Sequence, residues 1–190
     1  MSDFWLFFKI GLDHVLDWQA YDHVLFLVVL VAAYSFLSWK RVLILVSLFT
    51  LGHTVSLFLA SANYITLSSK YIEFLIPITI LLTAIYNIVS VQKNINARLG
   101  LYLATVFFGS IHGLGFATYF NLINGENDFL PLLEFALGIE LAQIIIVLMV
   151  LLVSFIFQKL IGMSKRYWLL LVSILVIIRV VFMLIDTWPF

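Results

Sequence analysis

The sequence predicts an all-α fold: a polytopic membrane helical bundle of about six transmembrane helices, preceded by a short N-terminal interfacial or re-entrant helix. Three observations carry this. The chain is 64% hydrophobic and only 11% charged over 190 residues, with mean hydropathy +1.17. No soluble domain of this length can hide so much apolar surface, so lipid must be its solvent. Six apolar stretches are long enough to cross a hydrocarbon core of roughly 30 Å. Basic residues gather in alternate connections between them.

In chain order, the segment Asp3 to His14 comes first. It is too short to cross and is expected to lie at the interface or insert partway. The spans then fall near residues 20–38, 42–62, 71–91, 98–120, 130–157 and 167–187. No linker, repeat or low-complexity segment interrupts them, so residues 1–190 read as one integral membrane domain. The N-terminus lacks a basic n-region and a small-residue cleavage site, and reads as mature sequence. The absence of cysteine removes disulfides, iron–sulfur clusters and thiolate zinc sites. A net charge of zero argues against a nucleic-acid partner. Membrane lipid and a divalent metal ion are the partners expected.

Charge sets the expected orientation. Lys40 and Arg41 follow the first span, Lys93 and Arg98 flank the connection after the third, and Lys159, Lys165 and Arg166 follow the fifth. The alternate connections hold only Lys70, with Lys9 in the leading helix. By the positive-inside rule the first set is cytoplasmic, and both termini lie outside. A bacterial inner membrane, with the termini in the periplasm, fits this pattern. Every carboxylate then falls on the outer side: Asp3, Asp13, Asp17, Asp22, Glu73, Glu126, Asp128, Glu134, Glu140 and Asp186. An outer vestibule of that sign concentrates cations. Avoidance of the cytoplasmic face by acids is the plainer explanation.

The same topology fixes the depth of the histidines. At ~1.5 Å per residue, His53 lies ~18 Å above Arg41 and His112 ~21 Å above Arg98. His23 lies ~24 Å above Trp39, and Glu140 ~28 Å above Lys159. His14 sits on the leading segment, also outside. A lone intramembrane histidine is commonly a packed residue bonded to a neighbouring carbonyl. Four histidines at one depth beside Asp22 and Glu140 point instead to a divalent transition metal, since imidazole with carboxylate suits nickel, cobalt or zinc. The expected ligands are His14, Asp22, His23, His53 and His112. Glu140, Gln143, Thr54 and Ser110 are expected in the surrounding shell or cavity wall. Glu140 and Gln143 share a helix face three residues apart. Gly109 and Gly113 flank His112 at the spacing that lets helices touch.

These segments, in this order, resemble the HupE/UreJ family of small membrane proteins associated with nickel supply. The resemblance rests on His14 with the pair Asp22-His23, on Phe49-Thr50 with His53-Thr54, on "HGLGFA" from His112 to Ala117, and on Phe135, Gly138, Glu140 and Gln143. It covers about residues 11 to 143. Seven residues separate His14 from Asp22, more than the family usually has, and Ala136 stands where the family has asparagine. The resemblance implies a nickel/cobalt-type divalent cation permease. The residues themselves also admit a zinc-type intramembrane hydrolase, with Glu140 or Asp22 as general base, or a metal-sensing or metallochaperone-like membrane partner. The inner halves of the spans offer few ligands, chiefly Asn87 and Gln92.

Overall fold

The computed structural model describes residues 4–17, 21–93, 98–124 and 129–189. Among them there are seven α-helices and no strand. Five of the helices are long and apolar enough to cross a membrane: α3 (Trp39–Ser61), α4 (Ser69–Lys93), α5 (Arg98–Asn124), α6 (Phe129–Phe155) and α7 (Lys165–Asp186). They match the last five expected spans, and the chain is an integral membrane protein. A π-helical turn, Ile156–Leu160, prolongs α6 into an apolar run of 32 residues. Such a run is ~48 Å long and must tilt to fit the bilayer. Gly162, at φ +77°, then turns the chain into α7.

The beginning of the chain departs from expectation. The stretch 20–38 is not one continuous span. It forms α2 (Asp22–Val31), a turn, and a 3₁₀ turn at Phe36–Ser38 leading into α3. The ten residues of α2 reach only ~15 Å. The leading segment forms α1 (Phe4–Leu16), with Phe7, Gly11 and Val15 buried. It packs against α6, in line with the inserted of its two expected placements. Gly11 meets the carbonyl of Phe135, and Gly138 meets the carbonyl of Phe8. Further along α6, Leu16 shares a groove with Val24 and Val28 of α2 and with Ile146, Met149, Val150 and Val153. So α1 and α2 follow α6 in the same direction, one after the other. Together they make a single discontinuous crossing, broken between Leu16 and Asp22, and the total is again six.

The last turn of a helix leaves carbonyls without partners, and lipid around it cannot supply any. Here Asn87 of α4 does. Its buried Nδ2 donates to the carbonyl of Val29 at 2.6 Å, in the last turn of α2. Asn87 therefore has a structural partner at its Nδ2.

The most intimate pair is α3 with α5. Gly52 faces the carbonyl of Val106, Gly109 that of Phe49 and Gly113 that of His53. The last two pairs advance together along both chains, so the helices run in the same direction. Small residues bring the two backbones into contact, which sets His53 and His112 at one level. The pairs His53–Phe135 and Phe58–Phe129 run oppositely, making α6 antiparallel to α3.

Candidate metal centre

The break in the first crossing is where the predicted ligands gather. His14 ends α1, and Asp22 and His23 open α2. His53 comes from α3 and His112 from α5. His23, His53 and His112 are buried, His53 completely. The ring centroids of His14 and His23 are 4.8 Å apart, and those of His23 and His112 4.7 Å. His53 lies 5.8 Å from His14 and 6.1 Å from His23 by the same measure.

Hydrogen bonds orient two of the rings. Asp22 Oδ1 accepts the backbone N–H of His23 at 2.8 Å and lies 3.0 Å from its Nδ1. A carboxylate at that distance holds the proton on Nδ1 and leaves Nε2 bare. In His112, Nδ1 donates to the carbonyl of Phe108 at 2.8 Å, which also leaves Nε2 bare. Nε2 of His14, His23 and His112 and both nitrogens of His53 are buried without a hydrogen-bond partner. An unpaired buried nitrogen costs roughly 1–3 kcal/mol. Several facing one another form an arrangement that a cation would relieve.

The ligand atoms fall into two groups, His14–His23–His53 and Asp22–His23–His112. Within each group the atoms lie within 4.8 Å of one another. Ligands at ~2.1 Å from an ion sit ~3.4 Å apart in a tetrahedron and ~4.2 Å apart across an ion. Closing either group on a metal is thus a movement of modest size. The donors are imidazole and carboxylate, a set that fits nickel, cobalt or zinc.

The remaining predicted residues are placed differently. Glu140 is not brought to the histidines. Its Oε1 accepts from Ser47 at 2.6 Å, about two turns, or ~9 Å, along α3 from His53. Gln143 is fully buried and its Oε1 accepts from Thr50 at 3.2 Å, about one turn from His53 and beside the cluster rather than in it. Neither Thr54 nor Ser110 bonds a ring. Both His53 nitrogens lack partners, and Ser110 donates to the carbonyl of Val106 in its own helix at 3.0 Å. Helical hydroxyls commonly bond in that way.

Two cavities reach the cluster. One of about 690 Å³ is lined by Asp13, His14, Asp17, Phe116 and Tyr119. One of about 240 Å³ is lined by Tyr21, Asp22, Glu73 and Asp186. The structure thus brings acids to the rim. Asp3, Glu126 and Asp128, also counted toward the acidic vestibule, lie outside the described residues, as do the side chains of Gln92, Lys93 and Arg98.

Sequence reasoning missed the apolar cage. Phe116 lies 4.2 Å from His14 between centroids, Phe49 5.3 Å from His112, and Phe135 6.2 Å from His53. The signal was present, since Phe49 and Phe116 lie four residues from His53 and His112 and Phe26 three from His23, on the same helix faces. The cage puts apolar surface against the rings, which strengthens any charge interaction inside it. Also missed was Arg179 of α7, whose guanidinium stacks 4.5 Å above the ring of Tyr21, next to Asp22. It is the one cation between residues 167 and 187.

Neither a curated protein nor a solved structure matches the chain. A family model does, over residues 1–188, and it is described as HupE / UreJ protein. With essentially the whole length matched, the chain belongs to the HupE/UreJ family.

Proposed function

We propose that the protein is a divalent transition-metal permease of nickel/cobalt type, and that the ion passes through the histidine cluster at the break in the first crossing. The observation that carries this is the set of buried, unpartnered ring nitrogens from four helices facing one another beside Asp22. The family's association with nickel and cobalt transport or maturation supports the cargo. Ligand type supports it as well, since neutral imidazole binds these ions well.

In this reading the ion is cargo. Acids at the rim, Asp13 and Asp17 on one side and Glu73 and Asp186 on the other, raise its local concentration. His14, His23, His53, His112 and Asp22 exchange its water for imidazole and carboxylate. The basic connections at Lys40–Arg41 and Lys159–Arg166 put the opposite end in the cytoplasm. An inside-negative potential of 100 mV then favours inward movement of a divalent ion by ~4.6 kcal/mol if it crosses the full field.

A zinc-type hydrolase finds less support. It needs a base near bound water, yet Glu140 is engaged with Ser47 away from the rings. The test is uptake of Ni²⁺, Co²⁺ and Zn²⁺ into sealed proteoliposomes under a potassium-diffusion potential. Potential-dependent uptake of Ni²⁺ or Co²⁺, lost in His23→Ala, is expected. Tight binding without uptake would refute transport and leave a sensing or chaperone role.

A further inference from the structure

The ligands form two overlapping groups, and His23 is their only common member. Ring contacts repeat the division. Between ring centroids His23 lies 4.8 Å from His14 and 6.1 Å from His53 of one group, and 4.7 Å from His112 of the other. The groups also differ in chemistry. His14–His23–His53 offers three imidazoles. Asp22–His23–His112 offers two imidazoles and a carboxylate. Each group has its own opening, the larger cavity at His14 and the smaller one at Asp22.

We infer that the centre holds its ion in two alternative positions that share His23, so that the ion steps from one to the other by trading His14 and His53 for Asp22 and His112. This rests on the metal-centre reading above and specifies how that centre works. Occupancy is exclusive. Two divalent ions on one imidazole repel strongly in an apolar cage, where little solvent screens them. A step of this kind never strips the ion of all its ligands. That matters in lipid, where a bare divalent charge has no other stabilisation. A single deep site would bind as tightly but release slowly. Two shallower positions with a common ligand permit passage.

Co²⁺ tests this, because its visible spectrum reports the coordinating atoms. Detergent-solubilised full-length protein is titrated with Co²⁺ and its stoichiometry checked by equilibrium dialysis. Wild type should take up one ion per chain. His112→Ala should keep one ion with a three-imidazole spectrum. His53→Ala should keep one ion with a different spectrum, that of the carboxylate-containing position. His23→Ala and the double variant His53→Ala/His112→Ala should take up none. Helical circular dichroism and gel filtration control for assembly. His53→Asn and His112→Asn, which keep a polar group in place, serve wherever an alanine variant does not assemble. Loss of all binding in His53→Ala and in His112→Ala, equal to that in His23→Ala, would overturn the two positions and leave a single shell. Identical spectra from the two single variants would overturn them also, and two ions per wild-type chain would overturn exclusivity. Failure of wild type to bind Co²⁺ or Ni²⁺ at all would overturn the metal-centre reading, and this inference with it.

Discussion

Changing Asp22 to asparagine is the most informative small perturbation of the centre. The carboxylate accepts from the His23 backbone N–H at 2.8 Å and faces Nδ1 at 3.0 Å. Asparagine keeps the shape and one oxygen, so both hydrogen bonds can survive. What goes is the charge. Charge-assisted hydrogen bonds are roughly twice as strong as neutral ones. The basicity of His23 Nε2 falls accordingly, and the anionic ligand of one group is lost. Replacing a carboxylate that orients a metal-bound histidine typically costs ~10–100-fold in affinity, equivalent to ~1.4–2.7 kcal/mol. Asp22→Asn should therefore bind Ni²⁺ ~10–100-fold more weakly, through His14, His23 and His53. Asp22→Ala also frees the ring to rotate and should fall at or beyond the weak end of that range. The assay is isothermal titration of the detergent-solubilised protein against a competing chelator, with His23→Ala as the null. If Asp22→Asn and Asp22→Ala both bind like wild type while His23→Ala does not, Asp22 neither orients His23 nor ligates, and the derivation fails.

The other expectations follow from single contacts. Glu140→Gln should leave Ni²⁺ affinity within about twofold of wild type, because its partner is Ser47 and not a histidine; a loss like that of His53→Ala, measured by equilibrium dialysis, would return Glu140 to the centre. Gly109→Ala puts a methyl group onto the carbonyl of Phe49 and should lower stability by ~1–3 kcal/mol. Gly115→Ala, whose added carbon meets only Ile72 and Ile76 side chains at 3.4 and 3.9 Å, should not; thermal unfolding in detergent compares the two, and equal melting points would contradict the packing. Asn87→Leu leaves the Val29 carbonyl unpaired in the bundle, at a cost of ~1–3 kcal/mol; hydrogen exchange should quicken in the last turn of α2 before it does elsewhere. Cysteine at Ser68 should react with an impermeant reagent added to intact cells and cysteine at Ser164 should not, and the reverse would invert the assigned orientation.

Much of this was legible in the sequence because bilayers impose coarse, strong constraints. Length and hydropathy place α3 to α7. Placing them fixes the depth of His53 and His112, and depth groups them. The early end of α2 at Val31 was not legible. Residues 20–38 read as one apolar run, with neither glycine nor proline to mark its end. The Val29 carbonyl in its last turn is met by Asn87, 58 residues away, and hydropathy carries no trace of such a contact. The partner of Glu140 was not legible for a related reason. Depth along a helix says how high a side chain lies but not which neighbour it faces, and Ser47 supplied a partner that no motif marked.

The broken crossing explains how histidines distant along the chain come together beside one carboxylate. An uninterrupted helix would place His14 and His23 nine residues apart, ~13.5 Å along its axis, too far to share an ion. Interrupting it between Leu16 and Asp22 brings their rings to 4.8 Å. It also leaves the start of α2, with its unpaired amides, beside the cluster. Those amides are electropositive and by themselves repel a cation. Asp22, in the first turn, answers them by accepting the His23 N–H, so the helix end is neutralised by the same carboxylate that polarises the ring. Neutral imidazoles can then do the binding in an apolar cage without a large fixed negative charge at its centre. A cage of carboxylates would hold a divalent ion through full charges at low dielectric, and release would be slow. Imidazoles backed by one carboxylate bind more softly, which suits the release that the proposed permease requires.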